Sequence, residues 1–103
     1  MDSQSGSSRL FDLPQAGVLD VSSALDLQRT LLPLADSGAS LDLNLAAVTE
    51  IDASAVQLFV ALERALAARG HSLQLKATTD EVRAALTRAG VARLIAPTEE
   101  KRP

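Results

Sequence analysis

The sequence predicts a small α/β domain, with about four strands in a mixed sheet and helices mainly on one face. Three observations carry that prediction. Two short stretches alternate between apolar and polar residues: Leu41, Leu43 and Leu45 against Asp42 and Asn44, then Leu73 and Leu75 against Ser72, Gln74 and Lys76. This is the pattern of strands with one wet face; strands covered on both faces would read as unbroken apolar runs. Between them, Ala55, Leu58, Phe59, Leu62, Ala65 and Leu66 recur at the spacing of one helical face. Strand, helix and strand within about 35 residues form a crossover unit, so the two flanking strands are expected to run parallel.

The bulk numbers bound the class. A chain of 103 residues, 47% of them hydrophobic, supports one packed core and one domain. There is no cysteine, which excludes disulfides and thiolate metal sites. His71 is the single histidine, and its place at a strand start after Gly70 reads as surface rather than as a general base. Asp42 and Asp52 lack a third ligand for a metal site. Phe11 and Phe59 are the sole aromatics, so no platform exists for stacking single-stranded bases. Residues 1–63 carry nine acids against Arg9 and Arg29, a net −7, and residues 64–103 carry eight bases against four acids, a net +4. An acidic half disfavours nucleic acid as a partner. The opening Met-Asp-Ser-Gln-Ser-Gly-Ser-Ser lacks the basic start and apolar run of a secretion signal. No run of about 18 apolar residues occurs, so a cytoplasmic protein without direct membrane insertion is expected. No cofactor is implied.

In chain order, residues 1–8 read as a disordered Ser/Gly tail, 9–97 as the domain, and 98–103 as a charged tail. Arg9 to Leu13 and Gly17 to Val21 read as short strands around a Pro14-Gln15-Ala16 turn. Ser22 or Ser23 can cap the first helix, with Asp26 in its first turn. Its buried stripe is Ala24, Leu27, Leu31 and Leu34, and Pro33 is expected to distort or end it. Ser40 to Leu45 is the next strand. The longest helix runs from Ser54 to Arg69 and closes at Gly70. His71 to Lys76 is a strand, and Thr78-Thr-Asp-Glu81 has the spacing of a capping box opening the last helix. Val91 to Ile95 reads as a short strand or helical turn. No internal repeat and no linker is evident.

The chemistry gathers at Ser54, where strand gives way to helix. As pure structure, Ser54-Ala-Val-Gln57 fits a capping box. Asp52 could cap instead, with Ile51 and Val56 as a hydrophobic staple. As function, a serine entering a helix from a loop is an exposed phosphate acceptor, and a phosphate there would meet free N–H groups and the positive end of the dipole. No Gly-rich phosphate loop or neighbouring base accompanies it. The chain is therefore read as a non-enzyme that needs an external kinase.

The runs Leu41-Asp-Leu-Asn44 and Val48-Thr-Glu-Ile-Asp52-Ala-Ser54-Ala-Val-Gln-Leu58 resemble the signature of the STAS domain, the fold of anti-sigma factor antagonists. Ala67-Ala-Arg-Gly70, Leu73-Gln-Leu75, Asp80-Glu-Val-Arg-Ala-Ala-Leu86 and Ala89-Gly-Val91 follow the same family layout, over roughly residues 9–95. The resemblance implies that Ser54 matches the phosphorylated residue, Asp52 the acid before it, and Asp42 the aspartate of the preceding strand. It implies a partner-binding surface of Asp42, Asn44, Glu50, Asp52, Ala53, Ala55 and Gln57. The implied partner is a serine kinase or anti-sigma factor, or a two-component or chemotaxis protein. Phosphorylation of Ser54 would break the complex. Ala55 stands where the family usually has Gly, and Ala53 removes a further hydroxyl. The chain also resembles the small STAS subunit of bacterial phospholipid-transport ABC complexes, which docks on the ATPase without phosphorylation.

Overall fold

The computed structural model describes residues 8–97; the expected tails at 1–7 and 98–103 lie outside the described residues, and Ser8 already belongs to a strand. The elements run β1 (Ser8–Asp12), β2 (Gly17–Leu19), α1 (Val21–Ala35), β3 (Ser40–Asn44), β4 (Val48–Ile51), α2 (Ala53–Ala67), β5 (Leu73–Lys76) and α3 (Asp80–Arg88), then a 3-10 turn at Ala92–Leu94. Three strands form a sheet in the order β1-β3-β5, and β2 pairs with β4 in a second, two-stranded one. The class is the expected small α/β domain.

Every ladder among these strands is parallel. β1 and β2 do not pair with each other around Pro14; they run alongside β3 and β4 in turn. β4 was not foreseen from the sequence, because Val48-Thr-Glu-Ile51 lacks an alternating pattern and is half of a short ladder. Ile95 adds a single parallel bridge to Leu75. The alternation in β3 and β5 has the expected meaning. Leu41, Leu43, Leu73 and Leu75 are buried, while Asp42, Asn44 and Gln74 are half-buried and Lys76 is exposed on the other side. α1 and α2 pack on one another. Leu27, Leu31, Leu62, Leu66 and Phe59 close the core from the helix side.

The cap of α1 lies two residues before Ser22, and that of α3 one residue after Thr78. Asp20, rather than Ser22 or Ser23, caps α1: its Oδ1 accepts from the Ser22 and Ser23 N–H groups, both at 3.1 Å. α1 therefore begins at Val21, and Asp26 lies beyond its first turn. Pro33 sits inside the helix, which continues to Ala35. In the last turn a proline costs one backbone bond, and the carbonyl it frees, that of Arg29, is on an exposed residue. Thr79 caps α3 through the Val82 N–H at 3.2 Å.

A repeat that the sequence hides is plain in the register. Ser8 pairs with Ser40, Asp12 with Asn44 and Leu19 with Ile51. α1 and α2 are both 15 residues long and follow Asp20 and Asp52. Contacts such as Asn44 to Asp12 and Ser72 to Ser40 each span 32 residues. The unit β1-β2-α1 is thus matched by β3-β4-α2. Residues such as Leu13/Leu45, Asp20/Asp52, Ser22/Ser54 and Gly38/Gly70 agree, and most others differ. Because β2 and β4 are neighbours, both helices start side by side at one end of the molecule.

Candidate functional site

The loop that delivers α2 is tied down before the helix begins. The Asp52 N–H donates to the Leu19 carbonyl at 3.1 Å, which anchors the end of β4 to β2. The Asp52 Oδ1 then accepts from the Ser54 N–H at 2.9 Å and the Ala55 N–H at 3.3 Å. Asp52 is therefore the N-cap, with the extended backbone such a residue needs. Ile51 and Val56 flank it at the two positions of a hydrophobic staple, and both pack against the core. Ser54 is the second residue of the helix and not its cap, so it does not form the expected capping box: the cap is the Asp52 carboxylate, two residues earlier.

Its side chain has another setting. Ser54 is half-buried and lies in an open groove between the helices. α2 contributes Ser54, Gln57, Leu58 and Ala61, and α1 contributes Val21, Ala24, Leu25 and Gln28. Val21 and Leu25 keep 59% and 50% of their surface exposed. The groove thus offers apolar side chains beside a hydroxyl and two amides.

The predicted site residues separate into groups. Ser54 and Gln57 share the groove, Asp52 caps the helix at its end, and Ala53 is exposed between them. Ala55 is fully buried; it presents no surface to a partner and is corrected out of the binding face. Its methyl points into the core, so the departure from glycine does not obstruct the outer surface. Glu50 faces α3, lining a shallow hollow with Ile51, Glu81, Ala84, Ala85 and Arg88. Asp42 and Asn44 stand on the wet face of the sheet with partners of their own. Asp42 pairs with Lys76 at 3.2 Å. Asn44 donates to the Asp12 Oδ1 at 2.9 Å and accepts from the Ala46 N–H at 2.9 Å.

Val21, Leu25 and Gln28 were not singled out from the sequence. The available signal was that Val21 and Leu25, four residues apart, fall outside the buried stripe of α1, leaving two large apolar residues unassigned. Among charges near these helix starts, Asp20 is held below its ordinary value, first by the Ser23 backbone N–H and then by the Ser22 hydroxyl. Asp20 is therefore a carboxylate at neutral pH, beside the groove. Among the described residues no cluster of three or more metal-ligating side chains occurs, and no helix is long and apolar enough to cross a membrane.

Comparison with known proteins agrees with this geometry. Residues 12–96 match the family model described as "Mlab, STAS domain". No curated protein matches the chain. The anti-sigma factor antagonist SpoIIAA in its unphosphorylated form superposes with a TM-score of 0.72 at 20% identity, covering 96% of this chain and 87% of that one. A proposed anti-sigma factor antagonist from Thermotoga maritima gives 0.71 at 16% identity, covering 84% of this chain and 75% of that one. A sulfate transporter family protein from Wolinella succinogenes gives 0.68 at 19% identity, covering 86% and 71%. At these identities the structures speak to the fold, while the family model spans most of the sequence. This chain belongs to the STAS domain family.

Proposed function

We propose that the chain is a non-enzymatic, anti-sigma factor antagonist-like module that docks a protein partner on the end formed by α1 and α2, with the state of Ser54 setting the affinity. The observation that carries this reading is the position of Ser54. Its hydroxyl lies in a groove whose other wall is the exposed Val21 and Leu25, while Asp52 holds the Ser54 and Ala55 N–H groups. A phosphate added to Ser54 would carry about −1.5 to −2 charges at neutral pH. Those two N–H donors are already taken, and a carboxylate sits beside them. A partner covering the groove would have to strip water from that dianion against apolar walls, which is strongly unfavourable. Unmodified Ser54 imposes no such cost. The partner class that fits is a serine kinase or anti-sigma regulator that both binds this end and modifies it.

A pull-down with the candidate kinase tests the switch: Ser54→Ala is expected to retain the partner and Ser54→Asp to release it. In parallel, incubation with kinase, ATP and magnesium should add one phosphate to the intact mass, and Ser54→Ala should abolish it. An adduct that survives Ser54→Ala would count against the reading.

A second reading is favoured by one observation, the match to the Mlab-type model. It makes the chain a constitutive STAS subunit that docks on the ATPase of a phospholipid-transport complex. The same end would bind, and Ser54→Ala and Ser54→Asp would then bind alike.

A further inference from the structure

β1 is an edge strand. The Leu13 N–H donates to the Asn44 carbonyl at 3.2 Å, in line with the register that sets Phe11 beside Leu43. Odd-numbered residues therefore turn their backbone groups toward β3. By the two-residue period of a strand, the N–H and C=O groups of Ser8, Leu10 and Asp12 point to the free side. Among the described strands none pairs there.

The side chains of the same three residues stand on the wet face of the sheet, where rows of cross-strand partners form. Ser72 and Ser40 are 3.4 Å apart, Asn44 holds Asp12, and Lys76 holds Asp42. Leu10 lies next to Asp42 in register and is 62% exposed, the most of any large apolar residue described. In the second structural unit the equivalent position is Asp42 itself. Isolated edges are blunted by proline, a bulge or an inward-pointing charge. Ser8–Asp12 has no proline and no bulge, the irregularity falling later between Gly17 and Val18, and its one charge on the core-side face, Arg9, stays exposed.

We propose that this edge pairs antiparallel with β1 of a second copy, about a two-fold axis through Leu10. The segment Ser-Arg-Leu-Phe-Asp is self-complementary in that register. Leu10 meets the second copy's Leu10, and the two exchange both backbone hydrogen bonds. Ser8 stands opposite the second copy's Asp12, a hydroxyl donor opposite a carboxylate. On the other face Arg9 stands opposite the second copy's Phe11, a cation beside a ring. The two-fold operation uses up both free edges, so the assembly closes. Two three-stranded sheets become one of six strands, and the ends bearing Ser54 remain free. A five-residue edge is a small interface, at the weak end of specific association.

The test is sedimentation of the full chain at about 100 µM and on dilution, a range suited to a small interface. A reversible dimer of the 10.8 kDa chain is expected. Leu10→Lys places like charges directly opposite and should weaken association roughly tenfold or more. Leu10→Pro removes an N–H that the ladder to β3 does not use, and should do the same. Circular dichroism of both variants should match the parent. The chain has no cysteine, so single cysteines report position. Hydrogen-bonded residues across an antiparallel pair have Cα atoms about 5.5 Å apart, within disulfide reach. Leu10→Cys should cross-link on mild oxidation, and Leu25→Cys, on exposed α1 surface, should not. A monomer throughout this range overturns the proposal. So does a dimer insensitive to both Leu10 variants, or equal cross-linking at the two positions.

Discussion

The carboxylate of Asp52 holds two backbone N–H groups at the start of α2, and removing it leaves both without a side-chain acceptor. Asp52→Ala should lower the unfolding free energy by about 1 kcal/mol in urea titrations, with Asp52→Asn keeping most of the stability. Ser54→Ala, outside the cap, should change it by about 0.5 kcal/mol or less. That contrast separates a structural serine from a regulatory one. Gly70 ends the α2 segment with φ of +78°, and a Cβ added there meets nothing within 4 Å. Gly70→Ala should therefore cost about 1 kcal/mol from the left-handed backbone alone, without a steric part. The sequence offered both serine and aspartate as caps because either side chain reaches an orphan N–H. Only the helix's actual starting residue decided between them.

At the level of elements, α2 is joined to the 3-10 turn by Arg93, whose Nε and Nη2 contact the Glu63 Oε2 and Oε1 at 3.0 and 2.8 Å. This two-pronged hydrogen bonding holds the Glu63 carboxyl below its ordinary value of 4.5, with the nearby Arg93 charge adding to it. A lowered folded value contributes stability above the unfolded pKa, which is lost as pH falls through the folded value. An NMR titration of Arg93→Ala should show the Glu63 pKa rising toward 4.5. The acid side of its stability profile should flatten accordingly. The groove is tested on α1: Leu25→Lys should weaken partner binding under either reading of Ser54 while leaving the melting temperature nearly unchanged, because Leu25 is half exposed. The stripe of α2 was legible in the sequence, since Leu58, Phe59, Leu62 and Leu66 are all buried. β4 was not, because a four-residue strand paired to a three-residue one leaves no periodic signature.

Across the whole molecule the core is built mainly from leucine around Phe59, which is fully buried. Phe59→Ala should remove about 3–5 kcal/mol, a large share of the stability of a domain this size, and a thermal melt would register it. The 32-residue correspondence sets the two helix starts side by side, so the apolar Val21 and Leu25 of one unit face Ser54 and Gln57 of the other. It also makes Leu10 the counterpart of Asp42 and leaves β1 at an edge. The repeat is faint in the sequence because the matched positions, such as Leu13/Leu45, Asp20/Asp52 and Gly38/Gly70, are mostly those that caps, turns and the core require, and the outward-facing ones differ.

Periodicity and composition alone determined the α/β class, the wet faces of β3 and β5, the buried stripe of α2 and the prominence of Ser54. These follow from local spacing, which any chain with this pattern must satisfy. The tertiary structure decided what Ser54 faces, that Ala55 points inward, that Asp42 and Asn44 are engaged on another face, and that two helices share one groove. Those depend on which strands become neighbours, and strand pairing joins residues far apart in the chain that no local pattern marks.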